Sequence, residues 1–178
     1  MKFVQRLVAA CVFFVLLRFS VFAQTPLPSI TIPAPTMIKT EYVLPYPGIL
    51  PDHPLYIFKR IRDRMLDFLI VDPLRKAEFY ILQADKRLGM GVALFDKNND
   101  DVARATIAQG EDYFSQAVTV LSSLKNTGKE IPEYLIERLT NASIKHEEVL
   151  LELTSSHEGV KDSLTLLQKL IDEIKNLQ

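Results

Sequence analysis

The chain has no tryptophan, and its single cysteine, Cys11, falls within an apolar leader. Once residues 1–23 are removed no thiol remains, which excludes a disulfide framework, a thiol nucleophile and a cysteine-ligated metal. Glycine is scarce too: the six are scattered, so no glycine-rich loop cradles a phosphate. The three histidines, His53, His146 and His157, sit at no ligand spacing. His146-Glu147-Glu148 lacks the second histidine of a zinc-protease helix, so His146 reads as a solvated helix residue. A carboxylate-bridged di-iron bundle needs Glu-x-x-His pairs on two helices, and none occurs. Glu147, Glu148 and Glu152 accordingly read as a charged outer face. No serine occupies a nucleophile elbow. The chain is therefore read as non-enzymatic, with no catalytic, metal or cofactor site.

A block of one charge is also missing. The chain carries 21 basic and 22 acidic residues. Lys2, Arg6 and Arg18 lie in the first 23 residues, which hold no acid, so the remainder has 18 basic and 22 acidic residues. A mildly acidic chain without a basic stretch lacks the positive footprint that nucleic acid requires. At 48% hydrophobic and 24% charged residues it has the composition of a folded domain rather than a disordered one.

Residues 1–23 read as a signal peptide. Lys2 and Arg6 supply a positive start, residues 7–17 are an unbroken apolar run, and Val21 and Ala23 occupy the minus-three and minus-one positions before Gln24. The mature chain is expected to begin at Gln24 and to be exported, periplasmic or at the cell surface. Two rival readings stay open. The leader could be a retained anchor, although eleven apolar residues fall short of the ~20 a spanning helix needs. Val8-Ala9-Ala10-Cys11 resembles a lipobox, but the apolar run continues past it. Membrane contact is expected only if the leader is retained.

Eight of the ten prolines lie in residues 24–54. Each fixes φ and removes an amide donor, so this stretch is a connector rather than a helix or central strand. Residues 24–40 read as a polyproline-like spacer. Residues 42–53 interleave proline with Tyr42, Leu44, Tyr46, Ile49 and Leu50, apolar side chains that call for something to pack on. With Tyr56 they are candidates either to fold back on the helices or to form an interaction surface for a partner's aromatic groove.

From residue 54 the periodicity is helical, and the fold class is all-α: an antiparallel bundle of four to five helices over residues 54–178, preceded by the extended segment. Helix one is expected over residues 54–71, capped by Asp52 or His53 with Pro54 in its first turn, and Leu55, Phe58, Ile61, Met65 and Leu69 forming an inward stripe. Asp72 caps the second helix and Pro73 opens it. Its stripe is Leu74, Ala77, Ile81, Ala84, Leu88 and Phe95, interrupted by Gly89 and Gly91, which imply close helix contact. The third presents Ala103, Ile107, Phe114, Ala117 and Leu121 and stops at Gly128. The fourth presents Leu135, Leu139, Ala142, Val149 and Leu153. The fifth carries Val160, Leu164, Leu167, Ile171 and Ile174, a seam that could join two copies through residues 158–178. Arg62 and Asp85 fall at the apolar stripes of the first two helices, which predicts an ion pair between them, with Lys59 as an alternative partner and solvation of both side chains as the competing reading. The sequon Asn141-Ala142-Ser143 would be a chance occurrence if the chain were bacterial.

Residues 47–56 read Pro-Gly-Ile-Leu-Pro-Asp-His-Pro-Leu-Tyr, followed by Lys59-Arg60-Ile61-Arg62-Asp63. With Asp72-Pro73-Leu74-Arg75-Lys76-Ala77-Glu78 and Ala84-Asp85-Lys86-Arg87-Leu88, they resemble an uncharacterised bacterial family of exported or membrane-linked helical proteins, a domain of unknown function numbered five-six-six-seven. The resemblance covers about residues 42–125. It implies bacterial origin and export, and it brings no activity, cofactor or catalytic residue. Gly89-Met90-Gly91 departs from the alanine and glutamate more usual there. The expected role is binding of an unknown protein or envelope component. The alternatives are a self-assembling structural or stress protein, or a cell-wall-acting enzyme, which would need a buried polar constellation in a cleft.

Overall fold

The computed structural model describes residues 42–178, which belong to one compact unit, Thr40–Gln178. The leader, the cleavage positions Val21, Ala23 and Gln24, and the spacer before Tyr42 lie outside the described residues. The fold is all-α, with five helices and no strand among the described residues. We label them α1 (Tyr56–Leu69), α2 (Pro73–Phe95), α3 (Asp100–Asn126), α4 (Glu133–Ser156) and α5 (Lys161–Lys175). None is long and apolar enough to cross a membrane.

The starts and stops follow local chemistry. Asp72 caps α2 by accepting a 2.8 Å hydrogen bond from the Arg75 backbone amide, and Pro73 takes the first helical position. Gly128, at φ +72°, ends α3 in the left-handed region. This lets the Lys129 amide reach back to the Leu124 carbonyl at 3.1 Å. The start of α1 differs from the sequence expectation. It begins at Tyr56, no side chain caps it, and Asp52 forms an ion pair with Lys97 at 3.0 Å. His53 Nδ1 instead accepts from the Leu55 amide at 3.1 Å, holding Pro54 in a turn ahead of the helix.

The core is built by α2–α5. The closest pair is α2 with α3, and contacts of α4 with α5, α3 with α5 and α2 with α4 close the bundle. Small residues recur every seven positions along the α2–α3 seam: Ala77, Ala84 and Gly91 on one helix, Ala103, Gly110 and Ala117 on the other, all buried. A Cβ on Gly91 would overlap the Ile107 side chain, so the close contact needs glycine there. Gly89 is different: it faces Pro47 of the connector. Around the seam pack Ile81, Leu88, Ile107, Phe114, Leu121, Leu135, Leu139 and Leu150, each fully buried. Val160, Leu167, Leu170, Ile174 and Leu177 are buried in this same core. Of the expected α5 seam, Val160, Leu167 and Ile174 are thus packed within one chain, and Leu164 and Ile171 lie partly buried against the same core.

Helix α1 inverts its expected orientation. Leu55, Phe58, Ile61, Met65 and Leu69 are all exposed, and its one buried residue is Asp63. Tyr56, Lys59, Asp63, Asp67 and Ile70, at three- and four-residue steps, form the covered side. Three contacts explain the choice of face. Lys59 Nζ donates to the Pro47 carbonyl at 2.7 Å, Lys76 Nζ donates to the Asp67 carbonyl at 3.1 Å, and Lys76 lies 3.5 Å from the Asp67 carboxylate. The helix is tied down through its polar arc.

Candidate functional site

Two features outside ordinary core packing stand out: a polar chain inside the bundle and the apolar face of α1. The first is assembled by four elements. His146 of α4 is fully buried, contrary to its expected solvation, because it occupies the apolar stripe one turn beyond Ala142. Its Nδ1 lies 2.9 Å from Glu111 Oε1 of α3 and its Nε2 lies 3.2 Å from Asp85 Oδ1 of α2. The Tyr42 hydroxyl donates to Asp85 Oδ2 at 2.6 Å, bringing in the connector. Phe114 lies against the imidazole with ring centroids 5.0 Å apart. Burial by itself pushes the His146 pKa down, but the Glu111 and Asp85 carboxylates overcome it and raise it to about 9. The geometry agrees. Each ring nitrogen faces a carboxylate oxygen, so only an imidazolium can donate to both. Burial, helped by the Asp85 charge, drives the Tyr42 hydroxyl pKa upward and keeps it a donor.

Chemically this chain is closed. Asp85, Glu111 and His146 are at most 1% exposed. The two carboxylates lie on opposite nitrogens of one ring and do not converge on a common point, and no three histidine, aspartate or glutamate side chains among the described residues are grouped to hold a metal ion. The groove of about 740 Å³ between α1 and α3 is lined by Tyr56, Arg60, Asp63, Arg64, Arg87 and Tyr113, not by this cluster. There Arg87 stacks over the Tyr113 ring at 4.3 Å and donates to Gln83 Oε1 at 2.7 Å.

The expected Arg62–Asp85 pair does not form. Asp85 is engaged by His146 and Tyr42, while Arg62 reaches its neighbour Asp63 at 2.7 Å and is 59% exposed. With the polar arc of α1 turned inward, Arg62 is carried away from α2. Lys59, the alternative partner, is spent on the Pro47 carbonyl, and its burial lowers its pKa to about 8. Among the connector candidates, Tyr42 and Leu44 pack against the core, Leu50 and Tyr56 are half-buried, and Tyr46 and Ile49 are exposed. Sequence reasoning missed Glu111 and His146. Each carried a signal, an ionisable residue inside an otherwise apolar helical stripe: Ile107, Glu111, Phe114 on α3 and Leu139, Ala142, His146 on α4.

The second feature is the outward side of α1. Ile57, Phe58, Ile61, Met65, Phe68 and Leu69 are all more than half exposed, with Leu55 and Val71 extending the strip at its ends. Scattered surface apolar residues are ordinary; a continuous strip along a whole helix marks an interaction site.

A family model described as Domain of unknown function (DUF5667) matches residues 48–162. The chain belongs to that family. The match begins at the connector's Gly48, includes α1 to α4 and ends at the first turn of α5, so the α1 face and Asp85, Glu111 and His146 fall within it, while Tyr42 lies before it. No curated protein and no solved structure matches the chain.

Proposed function

We propose that this DUF5667 chain is a non-enzymatic, exported helical module that docks on another component of the cell envelope, with α1 as its docking element. The observation that carries the reading is the exposed apolar face of α1, held outward by ties through its polar arc. The bundle beneath it supplies rigidity. Asp85, Glu111 and His146 of the polar chain are closed to solvent, and their internal pairing supports a structural role. Export rests on the leader, whose positive start, apolar run and small residues before Gln24 are those of a signal peptide.

Site-specific photocrosslinking in cells tests the docking role. Crosslinkers at Ile61 and Phe68 should yield adducts, whether with protein or lipid, and one at Ile144 on α4 should not. Equal labelling at all three positions, or none at any, overturns it. N-terminal sequencing of the fractionated protein tests export: a start at Gln24 supports it, and Met1 retained in the cytoplasm contradicts it.

A further inference from the structure

We infer that the occupant of the α1 face is an anionic lipid surface, on which the helix lies in the plane of the headgroups. This rests on the docking reading above and names its partner. The argument starts from the angular order of side chains at 100° per residue. The covered arc is centred on Tyr56, Asp63 and Asp67. The exposed apolar arc, centred on Phe58, Ile61 and Met65, lies on the opposite side, so the strip points away from the bundle, with the Lys76 cation of α2 beside Ile61, Met65 and Phe68 in a shallow recess. The cations fall between the two arcs: Arg60 and Arg64 on one flank, Arg62 on the other, all exposed.

Both acids of the helix are on the covered side. Asp63 is buried and Asp67 is half-buried against Lys76. The outward half of α1 therefore presents an apolar strip edged on both sides by guanidinium groups and by no carboxylate. That is the pattern of an interfacial helix, whose apolar side chains enter the acyl boundary while long basic side chains reach back to headgroup phosphates.

Charge decides between a lipid surface and a second copy. Helix α1 carries four basic and two acidic residues, whereas the whole chain carries 21 and 22. The helix is a positive patch on an otherwise acidic chain. Two copies meeting face to face would bring their arginine flanks together, which like-charge repulsion opposes. An anionic membrane surface attracts the same flanks. The strip runs the length of the helix, about 21 Å at 1.5 Å per residue, and Phe68 near its end is 84% exposed.

The absence of tryptophan gives the experiment a clean reporter. Phe68→Trp in the full chain places a sole indole on the face, and Ile144→Trp places one on α4 as a control. Each protein is titrated with phosphatidylcholine vesicles and with vesicles containing phosphatidylglycerol. The expected result is a blue shift of the Phe68→Trp emission, and quenching by brominated acyl chains, with the anionic vesicles only. Salt should weaken the response, and Ile144→Trp should not respond. Adding Ile61→Asp, or Arg60→Gln with Arg62→Gln and Arg64→Gln, should weaken partitioning at least tenfold while leaving the circular dichroism unchanged. Because the reporter sits on α1, attachment through the leader alone would not move it. Emission unchanged at saturating anionic vesicles, or equal insertion into neutral ones, overturns the lipid assignment. If crosslinks at Phe68 nevertheless capture a protein, or light scattering shows a dimer that Ile61→Asp dissolves, the docking role stands and the lipid partner falls. If neither occurs, both fall.

Discussion

The imidazole of His146 and the carboxylate of Glu111 meet at 2.9 Å inside a core where neither is exposed to water. Asp85 completes the arrangement from the other side of the ring. Buried carboxylates without a cation would carry a heavy desolvation cost, and a buried imidazolium without acceptors would too. Together they satisfy one another, although Glu111 Oε2 has no hydrogen-bond partner among the described residues.

Removing the cation should be costly. His146→Leu retains roughly the side-chain volume but leaves Asp85 and Glu111 uncompensated, and we expect a loss of roughly 3–5 kcal/mol. Urea unfolding measures it through the midpoint at unchanged slope. A loss under about 1 kcal/mol would show that the carboxylates are neutral or solvated and that the imidazolium is not what holds them.

The same cluster sets a pH dependence. The folded His146 pKa, about 9, stands above the ordinary value of 6.5. Its contribution is therefore fully present below about pH 6.5 and is lost as pH rises through about 9. The groups facing the ring are Glu111 from α3 and Asp85 from α2, the latter also bonded to Tyr42 of the connector. The stability gap between the native protein and His146→Leu should narrow from pH 6 to pH 10. A gap that stays constant across that range contradicts the assignment.

Tyr42→Phe should release the connector. It removes the 2.6 Å bond to Asp85 while keeping the ring, at a cost of roughly 1–2 kcal/mol. Limited proteolysis should then cut residues 43–50 faster, with the helices equally resistant. Unchanged cleavage would mean that Leu44 and the Lys59–Pro47 bond hold the segment by themselves.

Gly91→Ala probes the α2–α3 seam. In an open helix this change gains ~1 kcal/mol; here the added methyl overlaps Ile107, and we expect a loss of roughly 1–3 kcal/mol. In an Ile107→Ala background the same change should turn neutral or stabilising. Denaturant unfolding of the four proteins of this cycle gives the coupling directly, and additive effects would place the close contact elsewhere.

All five helices could be read from the sequence, and the inward faces of four of them, because their stripes are matched by partners. Leu88, Ile107, Phe114, Leu135 and Leu167 are all fully buried. The turn chemistry at Asp72, Pro73 and Gly128 is local and needs no tertiary knowledge. Orientation is different. The period of Leu55, Phe58, Ile61, Met65 and Leu69 reveals that α1 has an apolar face, but not whether the bundle has room to cover it. Lys59 and Asp67 decided that by tying the polar arc to Pro47 and Lys76. The error at Arg62 followed from the same assumption, since its predicted reach toward Asp85 required the apolar face to point inward. His146 was passed over because a single histidine was weighed as a metal ligand or a surface residue. Its place in an apolar stripe, with Glu111 and Asp85 in comparable places on neighbouring helices, was the readable clue.

The buried polar chain also bears on which alignment of the helices is allowed. The apolar positions of α4 recur every seven residues, Leu135, Ala142 and Val149 on one line and Leu139 and Leu153 on the other. A core made only of such repeats would accept α4 displaced by two turns with similar burial. His146 occupies the second line between Leu139 and Leu153, and it is the charged position among them. Sliding α4 by even one turn, ~5.4 Å, breaks both of its carboxylate contacts at once. The triad thus works as an index mark for the assembling chain: it penalises the misaligned bundles that leucine packing alone would tolerate.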